Sequence, residues 1–389
     1  MFQRTSLAAL KRSICIMRPF TLLAILAALF ACSNDNDDEK ETPSSSSTEE
    51  ILSSSSIEKN SSSSLESGSL LLNFTSDMET GLLRWMDPNS ASLSSGELLF
   101  DQDSKVFANG KYVFVLERKN WGATNSISCM QADKIGDKSL ITQKSLEDAS
   151  NPYEVAVVGN KGYIALYGLD YVQEFNPATC VLGSKIDLPI SEANAASIKA
   201  SGDTLLVIAQ RLEAVEGWLS ATKPGLLIRI NASTKTLIDT IPLKFYNPGY
   251  SILSKGKLYV SSIDDYFAFA NAGIEIVDLA KGTSEVLATS SELGGGAGAI
   301  ALNEADQILY VSVYEEWGIA PVKPVNLANK AVGASLPNIT DSFNGIAFDD
   351  VAKKLFVGDS EGLKVYDLTS MISVNGDALP PASLAIARW

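Results

Sequence analysis

The stretch FNGIAFDDVAKKLFVGDSEGLKVYDL, Phe343 to Leu368, most constrains what this chain can fold into, because its plan recurs back through most of the sequence. A short strand of small and apolar residues leads to a tight turn and then to a wholly apolar strand, Leu355 to Val357, that ends on Gly358 and Asp359. After a polar loop, Leu363 to Leu368 alternates apolar with polar, as a half-buried strand does before a turn. A three-strand unit of this kind cannot bury both of its faces alone. Copies of it must stack on one another.

The unit returns at a spacing of about 43 to 53 residues, in the range of propeller blades. Its second strand is the most legible: KYVFVLE from Lys111, GYIALYG from Gly162, TLLVIAQ from Thr204, KLYVSSI from Lys257, ILYVSVY from Ile308 and KLFVGDS from Lys354. Each is apolar on both faces, as a strand between neighbouring sheets must be. Hairpin turns precede these strands, and Asn109-Gly110, Ser201-Gly202-Asp203 and Lys255-Gly256 carry the residues that tolerate positive φ. First strands favour small residues, most plainly GAGAIAL, Gly296 to Leu302, which suits close approach at a crowded axis. Third strands run into turns opened by Asn176, Asn231, Asp278, Asn326 and Asp367, and WMDPNSA places Asp87 in the same role near the start.

That last turn marks an incomplete unit with SLLLNFT, from Ser69, as its second strand and no first strand of its own. The C-terminal SLAIARW, Ser383 to Trp389, is a strand without a unit. Together they predict an all-β, seven-bladed β-propeller of four-stranded antiparallel sheets over residues 69–389, closed into a ring by the C-terminal strand, so that no sheet edge is left open. LYVSS, LYVSV and LFVGD, each followed by a strand such as IEIVDLA or LKVYDLT, resemble the YVTN-type and NHL-type propellers of bacterial surface proteins. That resemblance implies a seven-bladed ring with a binding or scaffolding role, without one defined activity.

Residues 1–31 run from a basic segment with Lys11, Arg12 and Arg18 into the apolar TLLAILAALFA, shorter than the roughly 20 residues of a membrane span. They predict an export signal. LFAC, Leu29 to Cys32, resembles a bacterial lipobox, which implies lipidation at Cys32 and a membrane partner through that anchor. Ser33 after the cysteine implies the outer membrane, and the acidic run Asn34 to Glu41 resembles signals for display at the cell surface. From there to residue 68 the chain holds three four-serine runs among acidic pieces, too little apolar surface to offset ordering, so 32–68 is expected to be a flexible tether.

Composition excludes several chemistries. The chain has no histidine, which removes Ser-His-Asp and Cys-His nucleophiles, HExxH zinc sites and imidazole acid–base catalysis. A net charge of −15, about −19 without Arg4, Lys11, Arg12 and Arg18, repels phosphate backbones and argues against nucleic acid. Of four cysteines only Cys129 and Cys180 lie in the body, in neighbouring repeats. Two buried free thiols are the expectation there, with an extracytoplasmic disulfide as the alternative.

In a propeller the loops from second to third strands share one face with the links between blades. Here each such loop brings a carboxylate and most bring an aromatic ring, which suits stacking on a glycan or protein ligand with acids accepting its hydroxyl or cationic groups. The residues assigned to that binding face are Trp121, Tyr171, Trp218, Tyr266, Trp317, Asp264, Glu315 and Asp359. No catalytic residue and no obligatory cofactor is assigned, and the head is expected to act as a monomer. The alternative is a divalent cation, calcium or magnesium, on Asp264, Glu315 and Asp359, serving a hydrolase or lyase on the same face. A third reading makes the rim of the ring a structural contact in an envelope assembly.

Overall fold

The computed structural model describes residues 68–389 except 77–79, 119–123, 344 and 375–380. The export signal, Cys32, the tether up to residue 67 and Trp121 lie outside the described residues.

Seven antiparallel sheets surround one axis. Blade 1 takes Pro381–Arg388 as its innermost strand, followed outward by Ser69–Ser76, Thr80–Met86 and Leu98–Asp101. Blades 2 and 3 begin at the axis with Ser104–Asn109 and Pro152–Val158, and their second strands are Tyr112–Arg118 and Lys161–Leu166. Blades 4 and 5 begin with Ala195–Ser201 and Pro248–Ser254, then Thr204–Ala209 and Lys257–Ser262. In blades 6 and 7 the corresponding pairs are Gly296–Asn303 with Ile308–Tyr314, and Ile346–Asp349 with Lys354–Asp359. The innermost strands touch one another in blade order all the way round, which makes the ring.

Closure is by the C-terminal strand, as the sequence predicts. Leu71 faces Ile386 and Leu72 faces Ala385 in an antiparallel ladder, with one bulge between Phe74 and Thr75. The four-stranded plan holds around the ring. In blade 6 the outer strand is reduced to the bridge between Val325 and Val332, with Gly333 N–H donating to the Pro324 carbonyl. Pro324 sits in the third strand, Val322–Asn326, and offers no N–H to an outer neighbour, so a full fourth ladder has nothing to pair with there.

The core lies between blades. Second strands bury both faces, with Phe114, Val115 and Leu116 all at 0% exposure. Successive side chains point to opposite sides, so Val115 packs toward blade 1 and Leu116 toward blade 3. Phe114 meets Phe175 edge to face at 5.3 Å across the blade 2–3 interface. The turns after third strands form as the sequence predicts: Asn176 Oδ1 accepts from Ala178 N–H, Asn231 Oδ1 from Thr234, Asp278 Oδ1 from Ala280, Asn326 Oδ1 from Ala328 and Asp367 Oδ1 from Thr369. Asp87 does the same for Asn89. Where no glycine is available for the hairpin between first and second strands, Gln307 and Lys353 take φ of 54° and 56° instead.

Cys129 and Cys180 form a disulfide, which corrects the expectation of two free thiols. Cys129 lies on the third strand of blade 2, Thr124–Gln131, and Cys180 at the end of the Asn176 turn in blade 3, with Cα atoms 5.7 Å apart. The turn that Asn176 opens is what carries Cys180 back against the neighbouring blade: Cys180 N–H donates to the Asn176 carbonyl at 2.8 Å. The reading of free thiols failed because spacing along the chain does not report that return.

Candidate functional site

Three consecutive blades end their loops between second and third strands in an exposed aromatic ring, and all three loops lie on one face. Trp218 is 52% exposed in blade 4, Phe267 88% in blade 5 and Trp317 57% in blade 6. Val215 and Ile319, in the loops of blades 4 and 6, are exposed beside them. Each ring follows an acid by one or two residues: Glu216 before Trp218, Asp265 before Phe267, and Glu316 directly before Trp317, all exposed.

Local folding explains these positions. The long loop of blade 4 forms an extra hairpin, Glu213–Val215 with Trp218–Ser220. Glu216 and Gly217 are its two turn residues at φ of 49° and 89°, the positive pair that a tight hairpin favours, and they set Trp218 at the first position of the returning strand. Glu213 anchors the base by pairing with Lys223 and by accepting from the Thr222 hydroxyl at 2.6 Å. In blade 5, Asp265 Oδ1 accepts from Phe267 N–H at 2.9 Å, which turns the chain sharply and leaves the phenyl ring outward. In blade 6, Ile319 N–H closes a turn on the Glu316 carbonyl at 3.0 Å with Gly318 at φ 75°, so Trp317 stands at the tip.

Beneath the exposed rings lies an aromatic cluster. Tyr266 meets Tyr314 at 5.6 Å and Phe343 at 6.1 Å, Phe269 meets Tyr314 at 5.9 Å, and Tyr314 meets Phe343 at 5.3 Å. It joins the loops of blades 5 and 6 to the link before blade 7. Gly296, opening the first strand of blade 6, lets this assembly close, since a Cβ there would lie 2.8 Å from Ile263 Cγ1 and 3.0 Å from the Phe269 ring. Burial pushes the Tyr314 hydroxyl above its ordinary value, helped by the negative charges of Asp341 and Glu316. Sequence reading missed Tyr314 and Phe343 because one looks like core strand and the other like a hinge between blades.

The remaining residues assigned from sequence have structural partners. Asp264 is 6% exposed; its Oδ2 accepts from Asn271 N–H at 2.8 Å, and burial raises its pKa above the usual carboxylate range. Asp359 is wholly buried: Oδ2 accepts from the N–H groups of Thr340 and Asp341 at 2.7 and 3.1 Å, and Oδ1 lies 3.1 Å from Lys364 Nζ. Glu315 pairs with Lys323 at 2.9 Å, while Lys323 also caps the Leu293 carbonyl. The Tyr171 hydroxyl donates to Glu147 at 2.8 Å, with Lys185 Nζ 4.2 Å from the ring centre. These groups stitch links and blades together. Glu275, 0% exposed, does the same in blade 5, taking the N–H groups of Lys244 and Phe245 from blade 4. Among the described residues no group of three or more His, Cys, Asp or Glu is arranged to hold a metal ion.

The structure therefore brings Trp218, Tyr266 and Trp317 to one face over blades 4 to 6, joined by Phe267, and holds Asp264, Glu315, Asp359 and Tyr171 in the framework that supports the loops.

No family model and no curated protein matches the sequence. Solved structures do match in fold. The hydrazine synthase of Kuenenia stuttgartiensis superposes with a TM-score of 0.57 at 11% identity, covering 79% of this chain and 95% of that one. Apo AztD from Citrobacter koseri gives 0.51 at 12% identity, over 83% and 99%. The dihydro-heme d1 dehydrogenase NirN, solved in complex with DHE, gives 0.51 at 12% identity, over 81% and 74%. At these identities the likeness establishes the ring and nothing about chemistry.

Proposed function

We propose that this chain is a non-catalytic binding or scaffolding module of the cell envelope, a propeller head of the YVTN/NHL kind carried on a lipidated Cys32 and a serine-rich tether, which engages a glycan or protein ligand over the loop face of blades 4 to 6. The observation that carries the reading is the set of Trp218, Phe267 and Trp317, each half or more exposed and each preceded by an exposed acid. Large rings held out into water by dedicated turns forgo burial that a purely structural loop would take, and contact with a partner recovers it.

Two further observations support the setting. The Cys129–Cys180 disulfide fits an oxidising, extracytoplasmic compartment. The described chain also enters the ring on the face opposite the rings: Gly68 accepts from Trp389 N–H beside the Gly110 hairpin turn, whose carbonyl accepts from Arg388 N–H.

The test is retention of the protein on immobilised glycans and on isolated cell envelopes. Trp218→Ala and Trp317→Ala are expected to bind about tenfold more weakly or worse while melting like the wild type, because both rings are exposed. Equal retention of both variants and the wild type contradicts the proposal.

A further inference from the structure

A cluster of cations and tyrosines lies in the central channel, away from the exposed rings. Lys105 is the second residue of the innermost strand of blade 2, at its loop-face end. Its Nζ lies 4.9 Å from the ring centre of Tyr153 in blade 3 and 5.8 Å from that of Tyr250 in blade 5. Blades 2 and 5 are not neighbours, so a lysine and a tyrosine from them can meet only across the channel. Among the described residues Lys105 forms no ion pair.

Arg118 reaches the same tyrosine from the blade 2–3 interface, with its Cζ 5.2 Å from the Tyr153 ring centre. The Tyr153 ring is braced by stacking on Tyr167 at 4.7 Å. Arg118 is 1% exposed and is among the largest wholly buried side chains of the described residues. Its Nη2 is paired with Asp103 at 2.7 Å, but Nε and Nη1 are buried and find no acceptor among the described residues. A buried guanidinium normally has its N–H groups satisfied, because each unpaired one loses its hydration without return. The neighbouring acids are otherwise engaged: Glu117 points to the other side of its strand, accepting from Asp101 N–H at 3.2 Å and the Ser126 hydroxyl at 2.8 Å. Glu154 takes Ile198 N–H at 2.7 Å and pairs with Lys199. Among the described residues, two cations thus share one tyrosine with the carboxylate of Asp103, in a chain of net charge −15 where cations usually find acids easily.

We propose that the loop-side mouth of the channel binds a small, singly charged carboxylate, whose oxygens accept from Arg118 and whose charge is balanced by Lys105, with Tyr153 and Tyr250 walling its apolar part. The guanidinium donates to either oxyanion, but a singly charged carboxylate matches the one positive charge left after Asp103 better than a doubly charged phosphate does.

The experiment is a thermal-melting titration of the full chain with benzoate at constant ionic strength, beside benzamide as the neutral analogue and inorganic phosphate. Benzoate is expected to raise the melting temperature saturably and benzamide to leave it unchanged. Lys105→Gln, a channel residue outside any ion pair, is expected to fold normally and to weaken the apparent benzoate affinity about tenfold. Arg118→Lys is expected to do at least the same; if it does not fold, Lys105→Gln alone decides. Absence of a benzoate effect, an equal effect of benzamide, saturation by phosphate but not benzoate, or wild-type titration of Lys105→Gln overturns the assignment.

Discussion

The hydroxyl of Ser69 donates to Oδ2 of Asp349 at 2.6 Å, joining the start of blade 1 to blade 7 across 280 residues of chain. Arg388, at the other terminus, reaches Oδ1 of the same carboxylate at 3.3 Å. One buried side chain therefore holds both strands of the ring seam. Burial pushes the Asp349 pKa up, yet the Ser69 hydroxyl, the N–H groups of Ala352 and Val351, and the Arg388 charge outweigh it and hold the group below its ordinary value.

A carboxylate whose folded pKa is depressed contributes stability above its unfolded pKa and loses it as pH falls through the folded value. Asp349→Asn is expected to cost about 1–3 kcal/mol at pH 7, where the charged hydrogen bonds are present, and progressively less below about pH 4. Urea denaturation of wild type and variant at pH 7 and pH 3 checks this. A difference independent of pH contradicts the role.

The Cys129–Cys180 bond closes a sequence separation of 51 residues, so in the chain-entropy picture it is expected to contribute about 4 kcal/mol, or a fall of about 6 °C in melting temperature when both cysteines become serine. Both cysteines are buried, at 2% and 0% exposure, so reductant alone is expected to leave the bond intact in the native protein and to break it only with denaturant present. Thiol titration with and without urea distinguishes the two conditions.

Calcium and chelator are expected to shift the melting temperature by less than about 1 °C, since a cation stabilises only where it binds the native state. The reason is that Asp264, Glu315 and Asp359 already spend their oxygens on Asn271, Lys323, and Thr340, Asp341 and Lys364. A rise of several degrees with calcium would restore the divalent-cation reading.

The ring was legible because its signals are local. Apolar runs such as ILYVSVY declare a strand buried on both faces, Asn231 and Asp367 declare a turn, and the orphan strand at the C-terminus declares the closure. The candidate site was legible only in part. Trp218 follows a two-residue turn and Trp317 stands at the tip of one, so both are pushed outward, whereas Asp359 sits in an equally polar stretch and is drawn inward by backbone N–H groups from residues 340 and 341, which no local pattern announces. Cys180 and Arg118 were opaque for the same reason, their surroundings being supplied by the neighbouring blade.

Whether the loop face of blades 4 to 6 meets the proposed partner is decided by hydroxyl-radical footprinting of the protein alone and bound to isolated cell envelopes. Protection of Trp218, Phe267 and Trp317 is expected on binding, with the exposed rim residues Leu99, Ile238 and Ile372 oxidised equally in both states. Protection of those rim residues with the three rings unchanged would contradict it, and would make the edge of the ring the surface that binds.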